Sequence, residues 1–253
     1  MINLKSKEEI ILMAKGGKIL AEIIRELKRA VSPGIATQEL NALAETLILK
    51  AGAKCSFKGY QNFPACLCTS LNEEITHNLP SVRQLKEGDI ITLDLGLFYS
   101  ETNFSNGFHL DMATTLPVGE VSPEIRRLLR VGKKTLKLAI KKVKPGNTLG
   151  DIGNTIQRYI ESQGFNVIRQ LCGHGIGRKI HESPDVLNFG QRHQGEKLRE
   201  GMVFTLEPMI SLGDWRIKKS SDGYGFETKD GSLSCLFEHT VAVTENGCQI
   251  LTQ

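Results

Sequence analysis

Apolar residues recur along this chain in two rhythms. Ile10, Met13, Ala14, Gly17, Ala21, Ile24 and Leu27 return at three- and four-residue steps, the pattern of an amphipathic helix of about six turns. Ser6 with Glu9 forms a capping box at its start, and Pro33-Gly34 stops it. Thr37 reads as the N-cap of a second helix carrying Leu40, Leu43, Ala44, Leu47 and Ile48, with Gly52 just past its end. Ser122-Pro123 opens a third helix lined by Leu129, Gly132, Leu136 and Ile140, which runs until Pro145-Gly146. Thr148 caps a fourth, with Ile152, Ile156, Tyr159 and Ile160, ending at Gly164. The other rhythm is the short apolar run bounded by turns, the mark of a buried strand. It predicts strands near Cys66–Leu71 and His109–Leu116, with His77 in a loop.

One such run occurs twice. Residues 85–94, LKEGDIITLD, and 198–207, LREGMVFTLE, align without a gap. Each is a polar turn, then a strand of four to five residues, then a carboxylate, Asp94 or Glu207. VSPGIATQEL at 31–40 likewise matches VKPGNTLGDI at 143–152. So helix, helix and strand repeat in order. This predicts an α/β (α+β) fold of pseudo-two-fold symmetry, an antiparallel-rich sheet backed by two pairs of helices. Residues 1–253 would form one domain, with halves at about 6–120 and 121–250.

Composition constrains the setting. The chain is 253 residues long, 40% hydrophobic and 24% charged, so its core needs no staples. A net charge of +4 is only mildly basic. The six cysteines show no zinc-finger spacing and read as reduced thiols of a cytoplasmic protein. MINLKSKEEI lacks the apolar core of a signal peptide, and no apolar run reaches membrane-spanning length.

The candidate chemistry follows from the repeat. A carboxylate on a buried strand is costly unless something neutralises it. In each half the repeated run is followed by a second strand with a carboxylate, Asp111 in FHLDMATT and Glu238 in FEHTVAVT. Four converging carboxylates would repel strongly, and divalent cations remove the difficulty. His174, freed by Gly173, Gly175 and Gly177, is a fifth candidate ligand. Two Asp, one His and two Glu suit a pair of hard-to-borderline ions such as Mn, Fe, Co or Zn. They do not suit a structural Cys/His zinc site.

GHGIGRKIHESP, TLEPM and FEHTVAVTENG, with LDLG and HLD before them, resemble the type I methionine aminopeptidases from about residue 6 onward. That resemblance implies the pita-bread fold, itself pseudo-symmetric. It implies removal of the initiator methionine from nascent polypeptides when the next residue is small. Asp94, Asp111, His174, Glu207 and Glu238 would hold two ions, Asp111 and Glu238 bridging, which activate a water. Glu207 would move the proton, His181 would bind the scissile carbonyl and His77 the scissile amide. Tyr60, Phe63, Cys68 and Tyr224 would form the methionine pocket. Tyr224 stands where Trp is common, and Ile180 where an aromatic is common.

The family's connection between the two aspartates is shorter, so LFYSETNFSNGF contains an insertion, and Met112 replaces a small hydroxyl residue. The turn chemistry of Asn106-Gly107 favours a longer hairpin over a register shift. Two other readings remain. An X-Pro peptidase of the same fold usually carries a large extra N-terminal domain that this length cannot hold. A binding protein without metal would have no need of the ligand set. The segment from His181 to Glu207 lacks the helical insertion of the type II enzymes. The short N-terminus before Ser6 suits a bacterial-type monomer that meets nascent chains at the ribosome, with Lys218 and Lys219 as candidate contacts.

Overall fold

In the computed structural model, residues 2–102 and 106–253 are described. Helices α1 (Lys7–Ala30) and α2 (Thr37–Lys50) precede strands β1 (Lys54–Cys55), β2 (Leu67–Leu71), β3 (Glu74–Thr76), β4 (Ile90–Tyr99) and β5 (Phe108–Pro117). Helices α3 (Pro123–Ile140) and α4 (Leu149–Ser162) precede β6 (Asn166–Val167), β7 (Cys172–Gly175), β8 (Glu182–Leu187), β9 (Val203–Leu206) and β10 (Met209–Ser211). Then come β11 (Ile217–Lys219), β12 (Phe226–Thr228), β13 (Ser234–Leu236), β14 (His239–Thr244) and β15 (Gly247–Ile250). Among the described residues every strand pair is antiparallel.

The helices start where their caps direct. Ser6 and Glu9 cap α1 reciprocally, Ser122 accepts from the N–H of Ile125 with Pro123 following, and Thr148 and Asp151 form a second capping box. Two caps differ from the sequence reading. The N-cap of α2 is Ala36, whose N–H donates to Glu39 Oε2 at 2.8 Å, while the Thr37 hydroxyl turns to the carbonyl of Ser81. Helix α3 ends at Ile140, before Pro145, because the Lys142 and Val143 N–H groups close tight turns onto Ala139 and Ile140.

Each helix pair covers its own half of the sheet. Helices α1 and α2 bury Met13, Leu20, Ile24 and Leu40 against Leu67, Leu93, Leu95 and Leu110 of β2, β4 and β5. Helices α3 and α4 bury Leu128, Ile152 and Ile156 against Phe204, Val241 and Val243 of β9 and β14. Each fully buried side chain of this kind contributes about 1.5–3 kcal/mol of apolar burial. The two halves meet where β5 runs beside residues 236–240. The Glu238 N–H donates to the Ala113 carbonyl at 2.9 Å, and the Thr115 hydroxyl donates to Leu236 O at 2.8 Å.

Three details correct the sequence reading. Strand β4 has ten residues, so Asp94 lies mid-strand and not at a strand end; the apolar run continues through Leu95, Leu97 and Phe98. A strand, β3, lies directly before His77. Cys55 and Cys66 are joined by a disulfide, with Cα atoms 5.2 Å apart, so not all six cysteines are thiols. Strands β1 and β2 pair with the same edge of β4, Cys55 opposite Leu97 and Leu67 opposite Leu95. Their ends therefore meet, and residues 56–65 bulge outward from the junction.

The connection after Asp94 is a hairpin. Its ladder runs unbroken from Ile90↔Pro117 to Tyr99↔Phe108, with Gly96 opposite Asp111. Residues 103–105 of the inserted stretch lie outside the described residues. Asn106 and Gly107 are held through their carbonyls by Arg178, which also reaches Glu9.

Candidate metal centre and substrate pocket

Side chains of a strand alternate between faces, and directly opposed residues share one. Leu93, Leu95 and Leu97 face the helices, so Asp94 and Gly96 face the other way. With them go Cys68 of β2 and Asp111 and Ala113 of β5. Gly96 leaves room for the pocket wall: a Cβ there would stand 2.5 Å from the Phe57 ring.

The second half supplies its groups at interruptions of its strands. Pro208 has no N–H to continue a ladder. Glu207 therefore lies between β9 and β10, which belong to different sheets. Glu238 lies at the corresponding break between β13 and β14. His174 sits at a bulge of β7, a device that re-aims a side chain. Gly175 beside it fits because a Cβ would come within 2.3 Å of the Ser183 carbonyl.

These five residues converge on one cavity of about 440 Å³. Ligand atoms of Asp111, His174 and Glu238 all lie within 4.8 Å of one another. Glu207 Oε1 is 3.8 Å from His174 Nε2. A carbonyl only accepts, so His174 Nδ1 at 2.9 Å from Gly175 O carries the proton, and Nε2 keeps a lone pair for a metal. Thr76 donates to Asp94 Oδ2 at 3.2 Å and Thr205 to Glu207 Oε1 at 2.7 Å. Asp94 Oδ1 and Asp111 Oδ1 are buried with no hydrogen-bond partner among the described residues.

Burial sets the electrostatics. It pushes the Asp94 carboxyl up to about 6 and that of Glu207 up to about 8. It raises Asp111 and Glu238 well above the usual carboxylate range, assisted by the neighbouring carboxylates. It lowers His174 to about 3, so its approach to Glu207 is a contact between ligand groups and not an ion pair. Orphaned carboxylate oxygens, crowded acids and a neutral imidazole lone pair together fit divalent cations. They fit no purely structural role, because unpaired buried carboxylates are costly.

The remaining candidates line the same cavity. Tyr60, Phe63, Cys68 and Tyr224 form its far end, with Phe57 and Ile180 added to them. Phe63 meets Tyr224 edge-on at 5.6 Å and Phe57 edge-on at 6.5 Å. Burial, then Asp94, Asp111 and Glu238, raise the Cys68 pKa and keep it a thiol. His181 stacks edge-on to His174 at 4.1 Å, and its Nδ1 is 2.8 Å from Tyr60 Oη. His77 follows β3 in left-handed backbone, φ 62°, a strain that persists only where its surroundings enforce it. His77 lines the cavity, and burial, then His181 and Lys219, lower its pKa to about 4. Lys218 is paired with Glu227, and Lys219 donates to Tyr224 O at the pocket rim. Thr76, Thr205 and Phe57 were not singled out in the sequence. The signal for Thr205 was its place two residues before Glu207, on the same strand face.

The model of metallopeptidase family M24 matches residues 11–245. Methionine aminopeptidase of Clostridium perfringens is 47% identical over 252 residues, covering 100% of this chain and 99% of the relative. The structure of methionine aminopeptidase from Thermotoga maritima superposes with a TM-score of 0.96 at 42% identity, all of both chains covered. A prolidase from Pyrococcus furiosus shares the fold alone, with a TM-score of 0.79 at 24% identity, 99% of this chain and 65% of the prolidase covered. The chain belongs to metallopeptidase family M24 and, within it, to the type I methionine aminopeptidases.

Proposed function

We infer that this enzyme removes the initiator methionine from nascent polypeptides, favouring a small second residue. The observation that carries the reading is a single cavity with a carboxylate–histidine cluster at one end and an apolar, aromatic end at the other. One apolar side chain fills the closed end while the peptide bond beside it lies at the cluster. Longer chains leave through the mouth, so cleavage is confined to the N-terminus. We propose 1–253 as one catalytic domain with halves at about 6–120 and 121–250.

Asp94, Asp111, His174, Glu207 and Glu238 would hold two divalent ions of the Co, Mn, Fe or Zn kind. Bound there, such ions supply Lewis acidity and a nucleophile at neutral pH. The chain's own groups do the rest. Glu207, oriented by the Thr205 hydroxyl, takes a proton and passes it to the departing amine. His181, its Nδ1 accepting from Tyr60, presents Nε2–H to the scissile carbonyl oxygen. His77 contacts the scissile amide. Phe57, Phe63 and Cys68 hold the methionine side chain and exclude water.

We place the enzyme in the cytoplasm as a monomer in transient contact with the ribosome. None of the described helices is long and apolar enough to cross a membrane. The test is hydrolysis of Met-Ala-Ser and of an Ala-Pro peptide with defined divalent metals. Met-Ala-Ser is cut and the proline peptide is not. Cleavage of the proline peptide alone would replace this reading.

A further inference from the structure

The outer face of α3 is strongly cationic and serves nothing in the pocket. Arg130, Lys134, Lys137 and Lys141 follow one another at steps of four, three and four, so they stand in one row. All four are exposed, while Leu128, Leu129, Leu136 and Ala139 on the opposite side are buried in the core. Among the described residues none of the four has an ion-pair partner; the ion pair found on this helix is that of Arg126 with Glu120. Glu124, in the first turn, is the helix's single acid. Lys133 adds to the crowding: burial, then Lys28 and Lys137, lower its pKa.

The row ends at a groove. Lys142, Arg158 and Arg192 line a cavity of about 480 Å³ beside α4, together with Tyr159 and with Asp151, whose carboxylate already accepts from the Thr148 and His193 N–H groups. Those three cations are likewise without ion-pair partners among the described residues. The arrangement offers charge along a line of about 17 Å by helix geometry, then three further cations and an aromatic ring. That is chemistry suited to a phosphodiester backbone: cations for phosphates and a ring for an unstacked base.

We propose that the α3 face and the groove at its end dock the phosphate backbone of structured RNA. An acidic membrane is the less suited partner, because a helix that lies on lipid must offer an apolar side to it. The apolar side of α3 is in the core, and the exposed large apolar residues Leu4, Ile11, Leu49, Val82 and Leu187 are neither on α3 nor in the groove lining. The choice of RNA over DNA rests on the proposed substrate, a nascent chain, which is met beside RNA. The surface differs from Lys218 and Lys219, which are engaged at the pocket side.

The test is fluorescence anisotropy of the full chain with a labelled RNA hairpin at 50 and 200 mM KCl. About four phosphate contacts predict a weakening on the order of a hundredfold across that range. Lys134→Glu/Lys137→Glu/Lys141→Glu weakens binding at least tenfold at the lower salt. Lys18→Glu/Lys50→Glu/Lys86→Glu makes the same change of charge at exposed sites on other faces and leaves binding near wild type. Both variants cut Met-Ala-Ser at the wild-type rate, since neither touches the pocket. Absence of RNA binding, equal loss in the two variants, or capture by phosphatidylglycerol vesicles without RNA binding each overturns the proposal. RNA binding by a chain that does not cut Met-Ala-Ser would instead overturn the proposed peptidase activity.

Discussion

Lys5 Nζ lies 2.5 Å from Glu182 Oε2, with both side chains nearly inaccessible, 4% and 5% exposed. Lys5 also anchors by its N–H to the Gly201 carbonyl, and Glu182 accepts from the Lys179 N–H beside His181. The N-terminal segment thus straps the turn that presents His181. Lys5→Met leaves a buried carboxylate unpaired and is expected to cost about 3–5 kcal/mol of stability, read by denaturant unfolding. It also lowers kcat by loosening His181. Burial alone would raise the Glu182 carboxyl; the hydrogen bonds from Lys5 and Lys179 outweigh it and lower the pKa below 4.5. Its stabilisation is therefore present above the unfolded value and lost as pH falls through the lowered folded value. The acid limb of a stability–pH profile should flatten in Lys5→Met, and an unchanged limb would disprove the linkage.

The Thr240 hydroxyl exchanges two hydrogen bonds with the backbone of Asp111, accepting its N–H at 3.0 Å and donating to its carbonyl at 2.8 Å. Thr240→Val orphans a buried N–H at a candidate ligand. The expected cost is about 1–3 kcal/mol, with roughly 10–100-fold weaker metal binding. Thr240→Ser keeps both hydrogen bonds and should retain metal affinity in a titration.

The Cys55–Cys66 link brackets the loop that carries Phe57, Tyr60 and Phe63. Closing so short a loop is worth about 3 kcal/mol. Cys55→Ser is expected to lower the melting temperature and raise KM for Met-Ala-Ser. Its divalent-ion content should match wild type, because the ligands lie on other elements.

Removal of divalent ions leaves Asp94, Asp111, Glu207 and Glu238 buried together without a cation. Restoring Mn²⁺ at about a hundredfold excess over its Kd should add about 2.7 kcal/mol, seen as a rise in melting temperature. A melting temperature indifferent to metal would argue that these residues hold no ion.

Much of this was legible from residue order. The repeated run located Asp94 and Glu207, and the following carboxylates located Asp111 and Glu238, because a duplicated unit returns the same side chains to the same places. The N-caps Ser6, Ser122 and Thr148 were legible because capping is local. What escaped notice depends on long-range pairing. Cys55 and Cys66 meet only because β1 and β2 share one edge of β4. The insertion after Asp94 could shift register or lengthen a hairpin, and only the observed ladder distinguishes these. Thr76 supports Asp94 from a strand too short to show periodicity.

Glu207 is expected both to hold metal and to move the proton that frees the methionine. Release of free methionine from Met-Ala-Ser, by wild type and by Glu207→Gln under saturating Mn²⁺, measures it directly. Wild type should turn over, and the variant should lose activity by at least three orders of magnitude while remaining folded, on the scale of a lost acid–base and ligand group. Turnover by Glu207→Gln equal to that of wild type would contradict the account.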